Sequence, residues 1–583
     1  MTERGTDCKP SDQPRRPDRR HFLTQVAALG VTAPLFGEAL WAQAVAGEAL
    51  TTQQLQAAEA IAGLEFSDAE RQLMLAGLNN QRDAYLRLRQ VPLANTVPPA
   101  LTFFAQPLGG ERRPLPPALP DAVTPAPATV PASTTDLAFL PVTVLSQLIQ
   151  RREVSSEELT RLYLERLRRL DPQLHCLIHD TESRALAQAR QADQEIAAGR
   201  YRGPLHGIPW GAKDLLAVAG TPTTWGAKPF EHQQLDYDAA VVRRLDAAGA
   251  VLIAKLSLGA IAWGDVWFGG QTLNPWNLSQ GSSGSSAGSA AATAAGLVGF
   301  AVGSETWGSI VSPATRCGAT GLRPTFGRVS RAGAMALSWS MDKLGPICRS
   351  AEDCALVFSS IHGRGPGEQD PATVDQPFDW NPRGDVRALR VGYAKELFEL
   401  PVSEEDDDAE WRRFDLESLE VLRRLGIELI PFELPKLPVD SLSFILGAEA
   451  AAAFDELTRS GADDQMVRQV EQAWPNVWRQ ARMIPAVEYI QANRVRTLLM
   501  ADMERRLTDL DAYVAPSFAG NNLLLTNLTG HPAVVVPNGF RADGTPTSIS
   551  FIGRPFEEEK VLLLARAFQQ VTDFHVRQPP LAA

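Results

Sequence analysis

Hydrophobic residues recur at helical spacing in two stretches of the chain. Within 51–92 they fall at Leu55, Ala58, Ile61, Leu64, Leu73, Leu75, Leu78 and Tyr85. This spacing is typical of amphipathic helices. Further along, Ser155 and Glu158 have the spacing of a capping box, and an apolar stripe follows them. The pattern therefore predicts an N-terminal helical region and a helix over 155–170.

Short apolar runs between the helical stretches predict buried strands at 251–254, 297–302 and 427–432. A further run, 207–214, predicts a strand that delivers Lys213 to a sheet edge. Five acidic residues at 404–408 precede a predicted helix. Because negative charge complements the dipole at a helix start, this run favours a solvated helix end over a cation site. Alternating helices and strands predict an α/β fold class.

Composition divides the chain into four predicted parts. Residues 1–44 are interpreted as a signal peptide and residues 45–106 as a helical N-terminal extension. Residues 107–133 are rich in proline, which favours extended backbone, so they are interpreted as a linker or surface strap. From 134 to 583 helix and strand patterns continue without an obvious break, which predicts one catalytic domain.

The N-terminus has the layout of an export signal. Basic residues are followed by an uncharged stretch from Phe22 to Gly37, which is too short to cross a bilayer as a helix. Small residues at 42–46 offer a signal-peptidase site. Arg19 and Arg20, just before the apolar stretch, resemble a twin-arginine signal. We therefore expect a periplasmic or secreted protein without a stable membrane anchor after signal removal.

Charge and cysteine content exclude several classes of protein. The 583 residues include 56 basic and 68 acidic side chains, a net charge of −12, which argues against a nucleic-acid partner. Five sparse cysteines without a C-x-x-C pair exclude a disulfide scaffold and zinc-type spacing. His175 and His179 lie in a predicted strand, where they stand too far apart to share a metal. No metal or other cofactor is expected.

A Gly/Ser/Ala-rich segment at 281–328 carries the candidate chemistry. A flexible linker has similar composition, but this segment continues into an apolar strand and a loop with a tryptophan. Its blocks resemble the amidase signature family of serine hydrolases. The matching blocks are Gly284–Ala290, Thr306–Ile310, Cys317–Thr325, Gly207–Pro209 with Lys213–Asp214, Asp342, Gly345–Pro346, Thr526–Gly530 with Pro532, and Gly553–Phe556. The resemblance spans about 134–580.

The resemblance implies a large central mixed β-sheet covered by α-helices, and it implies a site. Ser309 is similar to the family's nucleophile, Ser285 to the bridging serine held by a cis peptide, and Lys213 to the base. Such a lysine accepts a proton only if burial lowers its pKa enough to leave it neutral. A surface lysine paired with Asp214 is the alternative interpretation of Lys213. The implied substrate is a small-molecule amide, and the oligomeric state stays open.

Backbone N–H groups of Thr306, Trp307, Gly308 and Ser309 would form the oxyanion hole, with Ser286 and Asp214 in supporting positions. The loop departs from the family at three positions, where Glu305, Trp307 and Val311 replace Asp, Gly and Arg. Since Glu305 and Val311 cannot form an ion pair, we expect different loop support, with Arg316 as a candidate. We also expect Trp307 to narrow or wall the acyl pocket.

Other functions stay open at this point. Residues 284–288 also satisfy the G-x-S-x-G nucleophile elbow, with Ser286 as nucleophile and His362, His531 or His575 as base. An esterase or carbamate hydrolase would use the same site as an amidase. The amidase-like component of a tRNA-dependent amidotransferase shares the family core, although an exported protein has no tRNA to serve. A binding protein on a decayed amidase fold is the non-enzymatic alternative.

Overall fold

The computed structural model describes residues 49–91 and 129–582, apart from residues 63, 89, 366, 368–369 and 402–407. The predicted signal peptide, and the predicted linker up to residue 128, lie outside the described residues. No helix in the described ranges is long and apolar enough to cross a membrane.

Helices and strands alternate through most of the described chain. In chain order, the α-helices are α1 (Thr52–Ala62), α2 (Asp68–Leu88), α3 (Thr134–Phe139), α4 (Val142–Gln150), α5 (Ser156–Leu174), α6 (Glu182–Ala197), α7 (Ala240–Ala247), α8 (Ala287–Ala294), α9 (Val311–Cys317), α10 (Ala351–Ile361), α11 (Lys395–Phe398), α12 (Asp408–Arg424), α13 (Phe444–Ala453), α14 (Asp455–Ser460), α15 (Trp474–Ala481), α16 (Ala486–Leu507), α17 (Asn522–Thr529) and α18 (Glu558–Gln570). The strands are β1 (Leu177–Asp180), β2 (Pro209–Lys213), β3 (Val251–Leu256), β4 (Val266–Trp267), β5 (Gly270–Gln271), β6 (Leu273–Asn274), β7 (Asn277–Gly281), β8 (Phe300–Glu305), β9 (Thr320–Arg323), β10 (Lys343–Cys348), β11 (Val391–Ala394), β12 (Leu429–Phe432), β13 (Ala512–Pro516), β14 (Ala533–Phe540) and β15 (Pro546–Gly553).

Eleven strands form one sheet in the order β1-β3-β2-β8-β10-β9-β14-β15-β13-β11-β12. Strand β2 runs parallel to both β3 and β8, whereas β10 is antiparallel to β8 and β9. The sheet is therefore mixed. Helices pack against it, with β2, β3 and β8 buried along their whole length. The predicted α/β class and the large mixed sheet are both confirmed.

Local patterns located several elements accurately. Helix α5 begins with the predicted capping box, in which Ser155 Oγ accepts from the Glu158 N–H and Glu158 reaches back to the Ser155 N–H. The strand predicted at 297–302 begins later, at Phe300. The reason is a turn after α8, where Gly296 has a φ of 64° and the Leu297 N–H bonds the Ala292 carbonyl.

The Gly/Ser/Ala segment forms the tightly packed helix α8, all of whose residues are buried. A Cβ added to Gly288 would lie 2.4 Å from the Cys176 carbonyl oxygen and 2.6 Å from the Ser257 nitrogen. Small residues are therefore required because α8 approaches neighbouring backbone closely. This packing accounts for a composition that a flexible linker would share.

The predicted N-terminal helical region consists of α1 and α2, which pack against the helices near residue 480. The Gln480 amide donates to the Met74 carbonyl at 3.3 Å, and Arg479 lies 2.9 Å from Glu70. At the other end of α2, the Tyr85 ring meets Phe444 edge-on at 5.1 Å. The extension is thus an integrated part of the helical layer beside the sheet.

Candidate active site

Strand β2 ends at Lys213, whose side chain is fully buried among serine hydroxyls. Its Nζ donates to Ser285 Oγ at 2.8 Å, to Ser286 Oγ at 3.0 Å and to Ser304 Oγ at 2.8 Å. Because β2 and β8 are parallel neighbours, Ser304 near the end of β8 comes level with the lysine. Sequence reasoning missed Ser304; the only signal was a serine on the strand that leads into the nucleophile loop.

The lysine lies in a dry environment that favours its neutral form. Burial lowers the pKa of Lys213 well below its ordinary value, against the opposing charges of Asp342 and Glu305. The alternative interpretation, a surface lysine paired with Asp214, is wrong. Asp214 instead accepts from Lys255 at 2.6 Å, and both of these side chains are fully buried. Asp214 therefore holds β2 to β3, and it leaves Lys213 without a carboxylate partner.

Ser285 lies in the loop before α8, with 1% of its surface exposed. The Gly284–Ser285 peptide bond is cis, as the resemblance implied. A Cβ added to Gly284 would lie 1.8 Å from the Gly264 carbonyl oxygen, so the loop needs glycine here. Its position lets Ser285 Oγ accept the Lys213 hydrogen bond.

Ser309 lies between β8 and α9 and is 8% exposed. Its carbonyl accepts from the Ser286 N–H at 3.1 Å, which joins the nucleophile loop to the loop that carries Ser285. In the described part of the chain, Ser309 Oγ makes no hydrogen bond to Ser285. Unliganded active sites commonly show such a contact lengthened, because it tightens when substrate binds.

The backbone of the nucleophile loop is open to a ligand. Within the described residues, the N–H groups of Trp307, Gly308 and Ser309 donate no hydrogen bond, whereas the Gly308 carbonyl accepts from the Ser312 N–H at 2.7 Å. Gly308 has a φ of 84°, a conformation that favours glycine. The loop thus presents adjacent unused donors close to the Ser309 hydroxyl.

Buried Glu305 supports this loop in a way that the sequence did not reveal. Its Oε2 accepts from the N–H groups of Ile310 at 2.8 Å and Val311 at 2.9 Å. Its Oε1 lies 2.9 Å from Arg323 Nη1 and accepts from the Asn527 amide at 2.8 Å. Burial alone would raise the pKa of Glu305, but Arg323 and these hydrogen bonds lower it to about 2.

The expected loop partner, Arg316, is wrong. Its Nη1 donates to the Gln280 side chain at 3.2 Å on the exposed side of α9. The partner of Glu305 is Arg323 on β9, which also donates to the His531 carbonyl at 2.9 Å. The ion pair that Glu305 and Val311 could not form therefore exists with a residue from another strand.

Replacing Arg323 by methionine is expected to destabilise the fold by about 3–5 kcal/mol, because it leaves the Glu305 carboxylate buried without a counter-ion. Thermal and urea unfolding would measure the loss, with Arg316→Met as a matched control that changes stability little. The stabilisation from Glu305 is present above pH 4.5 and is lost as pH falls through about 2. The difference between wild type and Arg323→Met should therefore shrink in acid; equal stability at pH 7 would contradict this account.

The nucleophile elbow gains no support from the structure. Ser286 is fully buried, and its Oγ donates to the Ser304 carbonyl at 3.0 Å. Among the described hydrogen bonds none joins Ser286 to His362, His531 or His575. His531 is instead bonded to Thr529 at 2.7 Å. Ser286 therefore acts as a second hydroxyl that positions the Lys213 amine.

No group of three or more His, Cys, Asp or Glu side chains in the described ranges is placed to hold a metal ion. His175 follows α5 with a φ of 52°, and His179 lies on β1. The free, buried cysteines are Cys176, Cys317, Cys348 and Cys354. Cys8 lies outside the described residues.

A cavity of about 880 Å³ adjoins the lysine network through Ser304, Thr306 and Asp342. Thr306 Oγ1 donates to Asp342 Oδ1 at 2.6 Å, which fixes the start of the nucleophile loop against the cavity wall. Trp307 does not line this cavity and is 44% exposed. For this cavity, the prediction that Trp307 forms a wall is wrong.

Comparisons with known proteins agree with this geometry. The family model named Amidase matches residues 158–524. The A-type chain of the glutamyl-tRNA(Gln) amidotransferase of Chloroflexus aggregans is 36% identical over 492 residues, covering 77% of this chain and 99% of that protein. The protein of the same name from Roseiflexus castenholzii is 36% identical over 493 residues, covering 76% of this chain and 98% of that protein.

A solved structure of native peptide amidase from Stenotrophomonas maltophilia shares 30% identity and a TM-score of 0.67, covering 76% of this chain and 99% of that one. The A-type chain of the glutamyl-tRNA(Gln) amidotransferase from Thermotoga maritima gives 27% identity and a TM-score of 0.61, covering 76% of this chain and 97% of that one. With the family model covering well over half of its residues, this chain belongs to the amidase family.

Proposed function

We propose that this amidase-family serine hydrolase cleaves a carboxylic amide through an acyl-enzyme on Ser309. One observation carries the proposal. The buried Lys213 amine contacts Ser285 Oγ at 2.8 Å, beside a loop with unused N–H donors. A neutral lysine in that position can draw a proton through one serine from another.

In the proposed reaction, Ser309 Oγ attacks the amide carbonyl carbon and passes its proton to Ser285, whose own proton moves to Lys213. The carbonyl oxygen becomes an oxyanion, stabilised by the free N–H groups of the loop. The carbon–nitrogen bond then breaks as the relay returns the proton to the departing nitrogen, so ammonia or an amine leaves. Water attacks the acyl-Ser309 ester by the reverse proton path and releases the carboxylic acid.

The named relatives favour a second function, that of the amidase-like component of a tRNA-dependent amidotransferase. Such a component would release ammonia from glutamine within a complex, by the same chemistry at the same serine. The structural likeness to peptide amidase supports the free-standing enzyme instead. The two functions share every step up to the fate of the ammonia.

Ammonia release by the purified chain alone is the test. The assay would use a panel of primary amides together with an ester and a carbamate, because the same site would serve an esterase or carbamate hydrolase. Turnover of an amide without any added protein supports the proposal. Glutamine turnover that appears only with the other amidotransferase components and tRNA would favour the second function. No turnover and no labelling of the folded protein by a fluorophosphonate would favour a decayed site.

Export by residues 1–44 is part of the proposal, since an exported enzyme would not meet tRNA. The twin-arginine resemblance of Arg19 and Arg20 supports it. Fusing residues 1–44 to a reporter that is active only after export would test it, with both arginines changed to lysine as the control. A reporter retained in the cytoplasm would contradict the proposal.

A further inference from the structure

The cavity beside Lys213 has a predominantly apolar lining. Its volume of about 880 Å³ is that of a pocket for a ligand of drug-like size. The lining includes Leu215, Phe326, Met335, Leu337, Trp339 and Met500. Trp339 is 52% exposed and Met500 42% exposed, so both lie where the cavity meets solvent. A bound apolar group would cover these side chains.

Two arginines line the same cavity, and both are committed to protein partners. Arg331 Nε and Nη2 each lie 3.0 Å from an oxygen of Asp370, and its Nη1 donates to the Trp339 carbonyl at 2.8 Å. Arg496 donates to the Leu528 carbonyl at 2.5 Å and to Ser340 Oγ at 2.7 Å. These guanidinium groups therefore hold the cavity wall together.

The acidic side chains of the cavity are engaged in the same way. Glu449 accepts from Ser338 Oγ at 2.7 Å, from Ser340 Oγ at 2.6 Å and from the Tyr489 hydroxyl at 2.9 Å. Asp342 accepts from Thr306 Oγ1 with one oxygen and from the Leu337 and Ser338 N–H groups with the other. Both carboxylates therefore have their oxygens occupied by protein donors.

We infer that the cavity takes a bulky, uncharged, apolar acyl group, an inference that rests on the proposed amide hydrolysis. The preferred substrate is then the primary amide of an aryl-alkyl or medium-chain acid rather than free glutamine. A glutamine zwitterion would bring an ammonium and a carboxylate into a space whose charged groups already have partners. Each such charge would lose its water without an equivalent replacement.

The cavity is assigned to the acyl side because of the order of events on Ser309. The leaving amine must depart and water must enter, whereas the acyl group stays attached between the two steps. A recess that reaches the lysine network through Ser304 and Thr306 suits the group that stays. Binding it there would also exclude water from the apolar side of the acyl-enzyme.

The test compares kcat/KM of the full chain for 3-phenylpropanamide, hexanamide, acetamide and glutamine by ammonia release. We expect 3-phenylpropanamide to exceed acetamide by about 100-fold, the effect of burying roughly one phenyl ring. Hexanamide should fall between these two amides, and glutamine should be turned over no faster than acetamide. Glutamine turnover equal to or above that of 3-phenylpropanamide would overturn the inference.

Trp339→Ala provides the matched variant, since this side chain lies at the cavity mouth and is largely exposed. It should lower the ratio of kcat/KM for 3-phenylpropanamide to that for acetamide by about tenfold. Tyr237→Ala, which removes an exposed aromatic ring outside the cavity, should leave that ratio unchanged. An unchanged ratio in Trp339→Ala would overturn the inference. Failure to hydrolyse any amide overturns the proposed function as well, whereas efficient glutamine hydrolysis overturns this inference alone.

Discussion

Replacing Ser309 by alanine is expected to lower kcat/KM for amide hydrolysis by about 10⁴-fold or more, since removing a nucleophile disables the whole relay. Ammonia release measures the rate, and intact-mass analysis after fluorophosphonate treatment measures the acylable serine. Wild type should gain one phosphonyl group, and Ser309→Ala should gain none. The fold should be unaffected, because Ser309 Oγ makes no hydrogen bond within the described residues that its loss would break.

The control for this prediction is Ser286→Ala. Ser286 Oγ accepts from Lys213 and donates to the Ser304 carbonyl, so its loss should slow the reaction without removing the labelled residue. Labelling should therefore persist in Ser286→Ala at a reduced rate. The opposite pattern, with labelling lost only in Ser286→Ala, would contradict the role of Ser309 and restore the nucleophile elbow.

The parts of the fold that could be predicted are those written in neighbouring residues. The capping box of Ser155 and Glu158 fixes the start of α5 because its donors and acceptors lie within one helical turn. The start of β8 was misplaced because the residues after Gly296 are as apolar as a strand but form a turn. Apolar character alone does not distinguish these two buried conformations.

The candidate site divides in the same way. Lys213 and Ser285 could be assigned from the family motifs, and the structure brings them within 2.8 Å. Ser304 and Arg323 could not, since their roles depend on which strands are neighbours in the sheet. Arg316 was preferred because it is near Glu305 in sequence, but it lies on a helix face that points away from the loop. Strand order brings Arg323 to Glu305 and Ser304 to Lys213.

Replacing Lys213 by methionine is expected to lower kcat/KM by about 10³–10⁴-fold, within the range for loss of a positioned general base. In wild type, burial lowers the pKa of Lys213, so the amine is neutral and active above that lowered pKa. The rate of wild type should therefore fall as pH decreases through it. Rate measurements from pH 5 to 10 should show this acidic limb in wild type and none in Lys213→Met.

Stability should respond to the same substitution with a definite sign. Between the lowered pKa of folded Lys213 and its ordinary value of 10.5, the unfolded chain binds one more proton than the folded chain. The free energy of unfolding of wild type therefore rises with pH in this window, relative to Lys213→Met. Urea unfolding of both proteins at pH 7 and pH 10 would measure the change.

Lys343 supplies the control that separates burial from catalysis. It is equally buried, burial also lowers its pKa well below the ordinary value, and its Nζ donates to the Met341 carbonyl rather than to a serine. Lys343→Met should therefore reproduce the pH dependence of stability and retain the acidic limb of the rate profile. If Lys343→Met abolished that limb, or if Lys213→Met kept it, the acidic limb would not report proton uptake by Lys213. The base would then have to be sought outside the three serines that surround its amine.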